Sequence, residues 1–147
     1  MFSTIYDWSI EHIRDVFEAK SEDECLFAID HTFSQSIEVI VNGNPLTRLE
    51  LERFVLSMLK NSNFRLNVQW QHALEVPQDS TNRNGVLGGY YIIRNVRKQA
   101  QGVSPNARFT RHKYVHAHIE SESSDQRVDS RRIVKLYLAA EDKPASS

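Results

Sequence analysis

Phe64 to Val76, FRLNVQWQHALEV, alternates without a miss: Phe64, Leu66, Val68, Trp70, His72, Leu74 and Val76 hold one parity, and Arg65, Asn67, Gln69, Gln71, Ala73 and Glu75 the other. A period of two marks a half-buried strand. Thirteen extended residues reach roughly 40 Å at about 3.3 Å each, so a small domain has to bend the strand. The apolar parity should face a core, which makes His72, the one polar residue on it and next but one to Trp70, the first candidate for chemistry.

Upstream of this strand the pattern is helical. Ser9 is placed to cap a helix running to about Lys20, with Ile10, Ile13, Val16 and Phe17 on one face. Ser21 and Glu24 have capping-box spacing and open a second helix that should bury Cys25, Phe27, Ala28 and Ile29 and end near His31. Ile37 to Val41 reads as a short strand stopped by the turn cluster Asn42, Gly43, Asn44 and Pro45. Thr47 and Glu50 form another capping box, Leu46 and Leu51 occupy the hydrophobic-staple positions, and the helix they start runs through Phe54, Val55, Met58 and Leu59 to about Asn61.

Downstream the period stays at two. Segments 85–99, 107–120 and 131–140 read as strands, separated by loops at 77–84, 102–106 and 121–130 that are too short for a helix, so the strands should form an antiparallel meander. Gly88 and Gly89 interrupt a strand interior, where a bulge or sharp bend is expected. The fold class is therefore α+β: N-terminal helices packed on a strongly curved antiparallel sheet, as one domain over 1–147 with a core at about 6–142 and a polar tail at 143–147. Several strands are apolar on both parities, which calls for a cover on the outer sheet face, and a second copy of the chain would supply it.

The 147 residues suffice for one core without metals or disulfides, and 40% hydrophobic with 25% charged residues is ordinary globular composition. No window of about twenty apolar residues is present, and the first residues lack the basic flank and apolar run of a signal peptide, so the expectation is a cytoplasmic protein without a membrane partner. Cys25 is the single cysteine, which excludes internal disulfides and Cys-based zinc motifs; it is expected to pack as a small apolar residue. Residues 1–60 carry eleven acidic against five basic side chains, while Arg83 to Lys113 holds seven basic and no acidic ones. An anion site using Arg94, Arg97, Lys98, Arg108 and Arg111 is one reading of this stretch, and an acidic helical layer over a basic sheet is the other. Nucleic acid is not an expected partner, because Tyr90 and Tyr91 sit in an otherwise apolar strand rather than among exposed basic residues.

The order helix, helix, short strand, helix, long bent strands resembles the cone-shaped superfamily of nuclear transport factor two and its SnoaL-like members. The most specific stretch runs from Ile29 through Asp30, His31 and Thr32 to Phe33 and Ser34, then from Ile37 to Leu46 with its N-G-x-P-L turn. The resemblance covers about Tyr6 to Asp142. It implies an apolar pocket enclosed between helices and sheet, and two functional alternatives. One is a cofactor-independent cyclase, dehydratase or isomerase acting on a small apolar or aromatic molecule; the other is a non-catalytic homodimerisation or protein-interaction module.

Proton transfer at carbon needs a base in a water-poor pocket and a donor for the developing oxyanion. His72 and Asp30 are the candidate bases. His112, Tyr114, His116 and His118 share one parity of the 107–120 strand, opposite Phe109, Val115, Ala117 and Ile119. If the histidine face lines the pocket, His112 or His116 is the acid/base group and Tyr114 or Tyr90 the oxyanion donor, with Trp70, Tyr90, His116 and Phe54 as ligand contacts. If Val115, Ala117 and Ile119 face inward, the histidines lie in solvent or at a subunit interface. His116, His118 and Glu122 have the spacing of a cupin metal site, but Thr110 stands where that pattern has glycine, and neither a metal nor a cofactor is expected.

Overall fold

The computed structural model describes residues 2–98, 102, 104 and 107–145. Residue 99 of the expected 85–99 strand, most of the 102–106 loop and residues 146–147 of the tail lie outside the described residues. The chain forms α1 (Ile5–Phe17), α2 (Glu22–Thr32), β1 (Phe33–Val41), β2 (Asn44–Leu46), α3 (Arg48–Asn61), β3 (Asn67–Pro77), β4 (Gly85–Val96), β5 (Phe109–Ser121) and β6 (Arg131–Pro144). The six strands make one sheet in the order β2-β1-β6-β5-β4-β3, antiparallel except where β1 runs parallel to β6, and the sheet does not close into a barrel.

Local sequence explains the helix starts. At α3 the expected capping box is complete: Glu50 N–H donates to Thr47 Oγ1 at 3.1 Å, and Thr47 N–H donates to a Glu50 carboxylate oxygen at 3.0 Å. At α2 only half of it forms, since Ser21 accepts from Glu24 N–H while the Glu24 carboxylate takes the Lys20 N–H instead. Helix α1 departs from expectation. Thr4, not Ser9, is its N-cap, and the extra turn brings Ile5 and Trp8 into the core with Ser9 buried beside them. Phe27, expected inside, is 66% exposed and stacks on His31 one turn along.

One irregularity redirects the strand that organises the fold. In β3 the register against β4 slips between Trp70 and His72, where Trp70 faces Tyr91 and His72 faces Tyr90, so Gln71 is an extra residue without a partner. A bulge of this kind exchanges the faces of everything beyond it. Leu66 and Val68 are accordingly buried toward the helices, whereas His72, Leu74 and Val76 emerge on the outer face, Leu74 at 70% exposure. At Gly88 and Gly89, where a bulge or sharp bend is expected, the pairing is regular; the slip is on the neighbouring strand, and Gly89 has a different duty. A Cβ there would sit 2.8 Å from the Trp70 ring and 3.1 Å from the His72 carbonyl oxygen, so only glycine lets the indole lie on β4. The core fills the space between the helices and the inner sheet face, from Ile5, Trp8 and Phe17 through Val55 and Leu59 to Leu87, Ala117 and Ile133.

Candidate functional site

Register fixes which side chains share each face. Tyr91 pairs with Lys113 and Lys113 with Ala140; Ile93 pairs with Arg111 and Arg111 with Asp142. These residues, with Val115, Ala117 and Ile119, form the inner face. Of the two parities open for the third long strand, the apolar one is inside, and it carries Arg111 and Lys113 with it.

Between that face and helices α1 and α3 lies a cavity of about 260 Å³. Its walls are apolar, built from Ile13 and Phe17 of α1, Phe54, Val55 and Met58 of α3, and Leu136 and Leu138 of β6. Its polar contribution comes from Arg111, Lys113, Lys98, Tyr91, Asp142 and Asn42. Phe54 is 52% exposed, so the wall is open to solvent on the α3 side.

Arg111 grips Asp142 through both edges, Nε to Oδ1 at 2.7 Å and Nη2 to Oδ2 at 2.9 Å, and Lys98 Nζ adds a third contact at 3.0 Å. Burial by itself would raise the Asp142 carboxyl; the hydrogen bonds and charges of Arg111 and Lys98 outweigh it and hold the group below the usual carboxylate range. Among the described residues, the remaining terminal nitrogen of Arg111, Nη1, donates only to Met58 Sδ, at 2.9 Å. Thioether sulfur is a weak acceptor, so a ligand oxygen would be a better partner for that N–H.

Lys113 is the least compensated group in the cavity. Its side chain is buried, with Nζ 4.3 Å from the Phe17 ring centroid and 5.7 Å from that of Tyr91. Among the described residues no carboxylate lies within ion-pair distance of it. Burial, with a smaller push from Arg111 and partial compensation by Asp142, brings its amine down to about 7. Burial likewise pushes the Tyr91 phenol above its ordinary value, which keeps it a neutral donor.

The candidates anticipated from the sequence are distributed differently. Phe54 lines the cavity. Trp70 packs against Tyr91 with ring centroids 4.6 Å apart and planes tilted by 37°, and it is not among the residues lining the cavity. Asp30 is exposed at the end of α2 and bonds Arg48 at 2.9 Å, so it does not reach the pocket. His72, Tyr90, His112, Tyr114 and His116 do come together, on the outer sheet face. There Tyr90 is hydrogen-bonded to His112 Nδ1, stacks on Tyr114 at 4.4 Å and lies 5.8 Å from the His72 ring, while His116 stacks against Tyr137. His72 therefore points away from the helices, contrary to the parity argument, because the Gln71 bulge intervenes.

Arg111 and Lys113 were visible in the sequence only as members of a basic stretch. The signal that would have found them is their parity, which they share with Val115, Ala117 and Ile119. That stretch does not form one surface patch: Arg111 and Lys98 turn to Asp142, and Arg94 bonds Gln69. Cys25 is fully buried, and desolvation pushes its thiol up to about 11, consistent with an inert packing role.

No family model and no curated protein matches the chain. Solved structures do. A chain of the Candida albicans Mtr2–Mex67 M domain complex superposes with a TM-score of 0.61 at 10% identity, covering 96% of both chains. IdmH from Streptomyces antibioticus, a candidate polyketide cyclase, gives 0.60 at 12% identity over 90% of this chain and 91% of its own. An NTF2-like protein of unknown function from Exiguobacterium sp. 255-15 gives 0.53 at 18% identity over 95% and 99%. Helix order, curved sheet and whole-length superposition together establish that this chain has the nuclear transport factor two-like fold, the cone shared with SnoaL-like proteins.

Proposed function

We propose that the chain binds a small, largely apolar molecule in the helix-side cavity, with one anionic or carbonyl oxygen turned toward Arg111 Nη1 and Lys113 Nζ. The supporting observation is the pairing of an apolar cavity with a buried amine that has no carboxylate within ion-pair distance among the described residues. The chemistry this favours is cofactor-independent proton transfer of the cyclase, dehydratase or isomerase kind. An amine balanced near neutrality is matched to accepting a proton from carbon, and Arg111 is placed to stabilise the oxyanion that results. The fold likeness to IdmH agrees with this reading at the level of architecture.

A thermal-shift series with ring carboxylates such as cinnamate and benzoate tests it. Stabilisation by these compounds that is absent in Ala140→Phe, which fills the cavity beside Lys113, supports the reading. Equal stabilisation of both proteins, or none, contradicts it.

The outer face favours a second, compatible reading. Leu74, Val76 and Tyr114 are 70%, 57% and 58% exposed on one side of the sheet, more apolar surface than solvent usually meets in one place. We infer that a second copy of the chain covers it, whether or not the cavity is catalytic.

A further inference from the structure

A lysine inside a protein ordinarily either finds a carboxylate or threads its ammonium out to water. Lys113 has no carboxylate within ion-pair distance among the described residues, and its buried side chain turns its nitrogen to the cavity between Phe17 and Tyr91. Its charged and titratable surroundings are Arg111 on its own strand, Asp142 on β6, Lys98 beyond β4 and Tyr91 on β4; α1 and α3 offer it only apolar side chains such as Phe17 and Met58. Asp142, the one carboxylate, is already engaged by Arg111 and Lys98. What remains is a primary amine facing an apolar cavity next to another cation. Those two conditions, desolvation and a cationic neighbour, turn a lysine into a nucleophile at neutral pH.

We propose that Lys113 Nζ captures the carbonyl carbon of an aldehyde or ketone held in this cavity as a Schiff base, an activity that rests on the cavity being a ligand site. The nitrogen lone pair forms the C–N bond while the carbonyl π electrons move to oxygen, and one N–H proton transfers to that oxygen to give a carbinolamine. Loss of the hydroxyl with the second N–H hydrogen then forms C=N and releases one water, so no oxidant or reductant enters. Hydrolysis runs the same steps backward and returns the carbonyl compound. Phe17 and Tyr91 flank the nitrogen, so an aromatic or conjugated carbonyl is the class the site fits.

The test is reductive trapping of the full chain with cinnamaldehyde and sodium cyanoborohydride at pH 7, read by intact mass and peptide mapping. An ordinary lysine with a pKa near 10.4 is free amine in only about one part in 2,500 at that pH, whereas an amine balanced near 7 is about half free. The expected result is an adduct on Lys113 at least tenfold above any other lysine. Its rate should level off above pH 7, and Lys113→Met should lose it. The N-terminal amine, ordinarily near 8, is the expected competitor and maps to a separate peptide. Label spread over the other lysines, with Lys113 no more modified than they are, overturns the proposal, and the wild-type map decides this even if Lys113→Met fails to fold. Stabilisation by cinnamate without a Lys113 adduct leaves the ligand site standing and removes the Schiff base. Absence of both removes both.

Discussion

Lys113 is a destabilising group in the folded chain. Below about 7 both folded and unfolded states hold its proton; between about 7 and the ordinary lysine value the unfolded state holds a proton that the folded state has released. Stability must therefore rise with pH across that window. Lys113→Met keeps the length of the side chain and removes the amine, so it should stabilise the protein at pH 7 by on the order of 2 kcal/mol. It should also flatten the rise in Tm between pH 7 and 10, both measurable by calorimetry on the two proteins side by side. Arg131 works in the opposite sense. It is buried and bonds Asp129, the Ser3 and Asn82 carbonyl oxygens and Ser3 Oγ. Removing it as Arg131→Met should lower stability by about 3 kcal/mol, because three protein acceptors lose their donor and Asp129 its charge partner. Nothing in residue type alone separates these two basic residues. Both lie buried in the structure, and their three-dimensional partners are what tell them apart.

Among elements, β3 shows most clearly what the alternating pattern can and cannot convey. It correctly announced a strand, and up to Trp70 it correctly announced the buried side. Beyond Gln71 an extra residue without a partner inverted the relation, and no local composition marks that residue. The glycine pair on β4, opposite Ala73 and Leu74 just beyond the slip, suggested a bulge or sharp bend in its own strand; Gly89 instead makes room for the Trp70 ring. Gly89→Ala should cost about 1–3 kcal/mol by forcing Trp70 off its seat, whereas Gly88→Ala, whose Cβ would meet nothing within 4 Å, should be close to neutral. Urea unfolding of both variants checks this, and equal losses would contradict the packing described. Helix starts were more legible, because capping is a local hydrogen-bond problem: the Thr47 box was complete as expected, while α1 begins a turn before the expected Ser9, capped by Thr4.

In the whole molecule the layers were legible and the closure was not. Three helices against a curved sheet follow from period and loop length, while the parallel pairing of β1 with β6 joins segments nearly a hundred residues apart and has no signature in either. The two faces of that sheet divide the candidate functions. The outer face should hold a dimer: light scattering is expected to give twice the 17.0 kDa chain mass, reduced to a monomer by Leu74→Glu, and a wild-type monomer at high micromolar concentration would remove that reading. The inner face holds the cavity, whose proposed working group is the Lys113 amine. The most direct measurement is the NMR titration of the Lys113 side chain, in the free protein and saturated with cinnamate. The expected midpoint is near 7 in the free protein, shifted upward when the carboxylate is bound. A midpoint at the ordinary lysine value near 10.4, unmoved by the ligand, would contradict it.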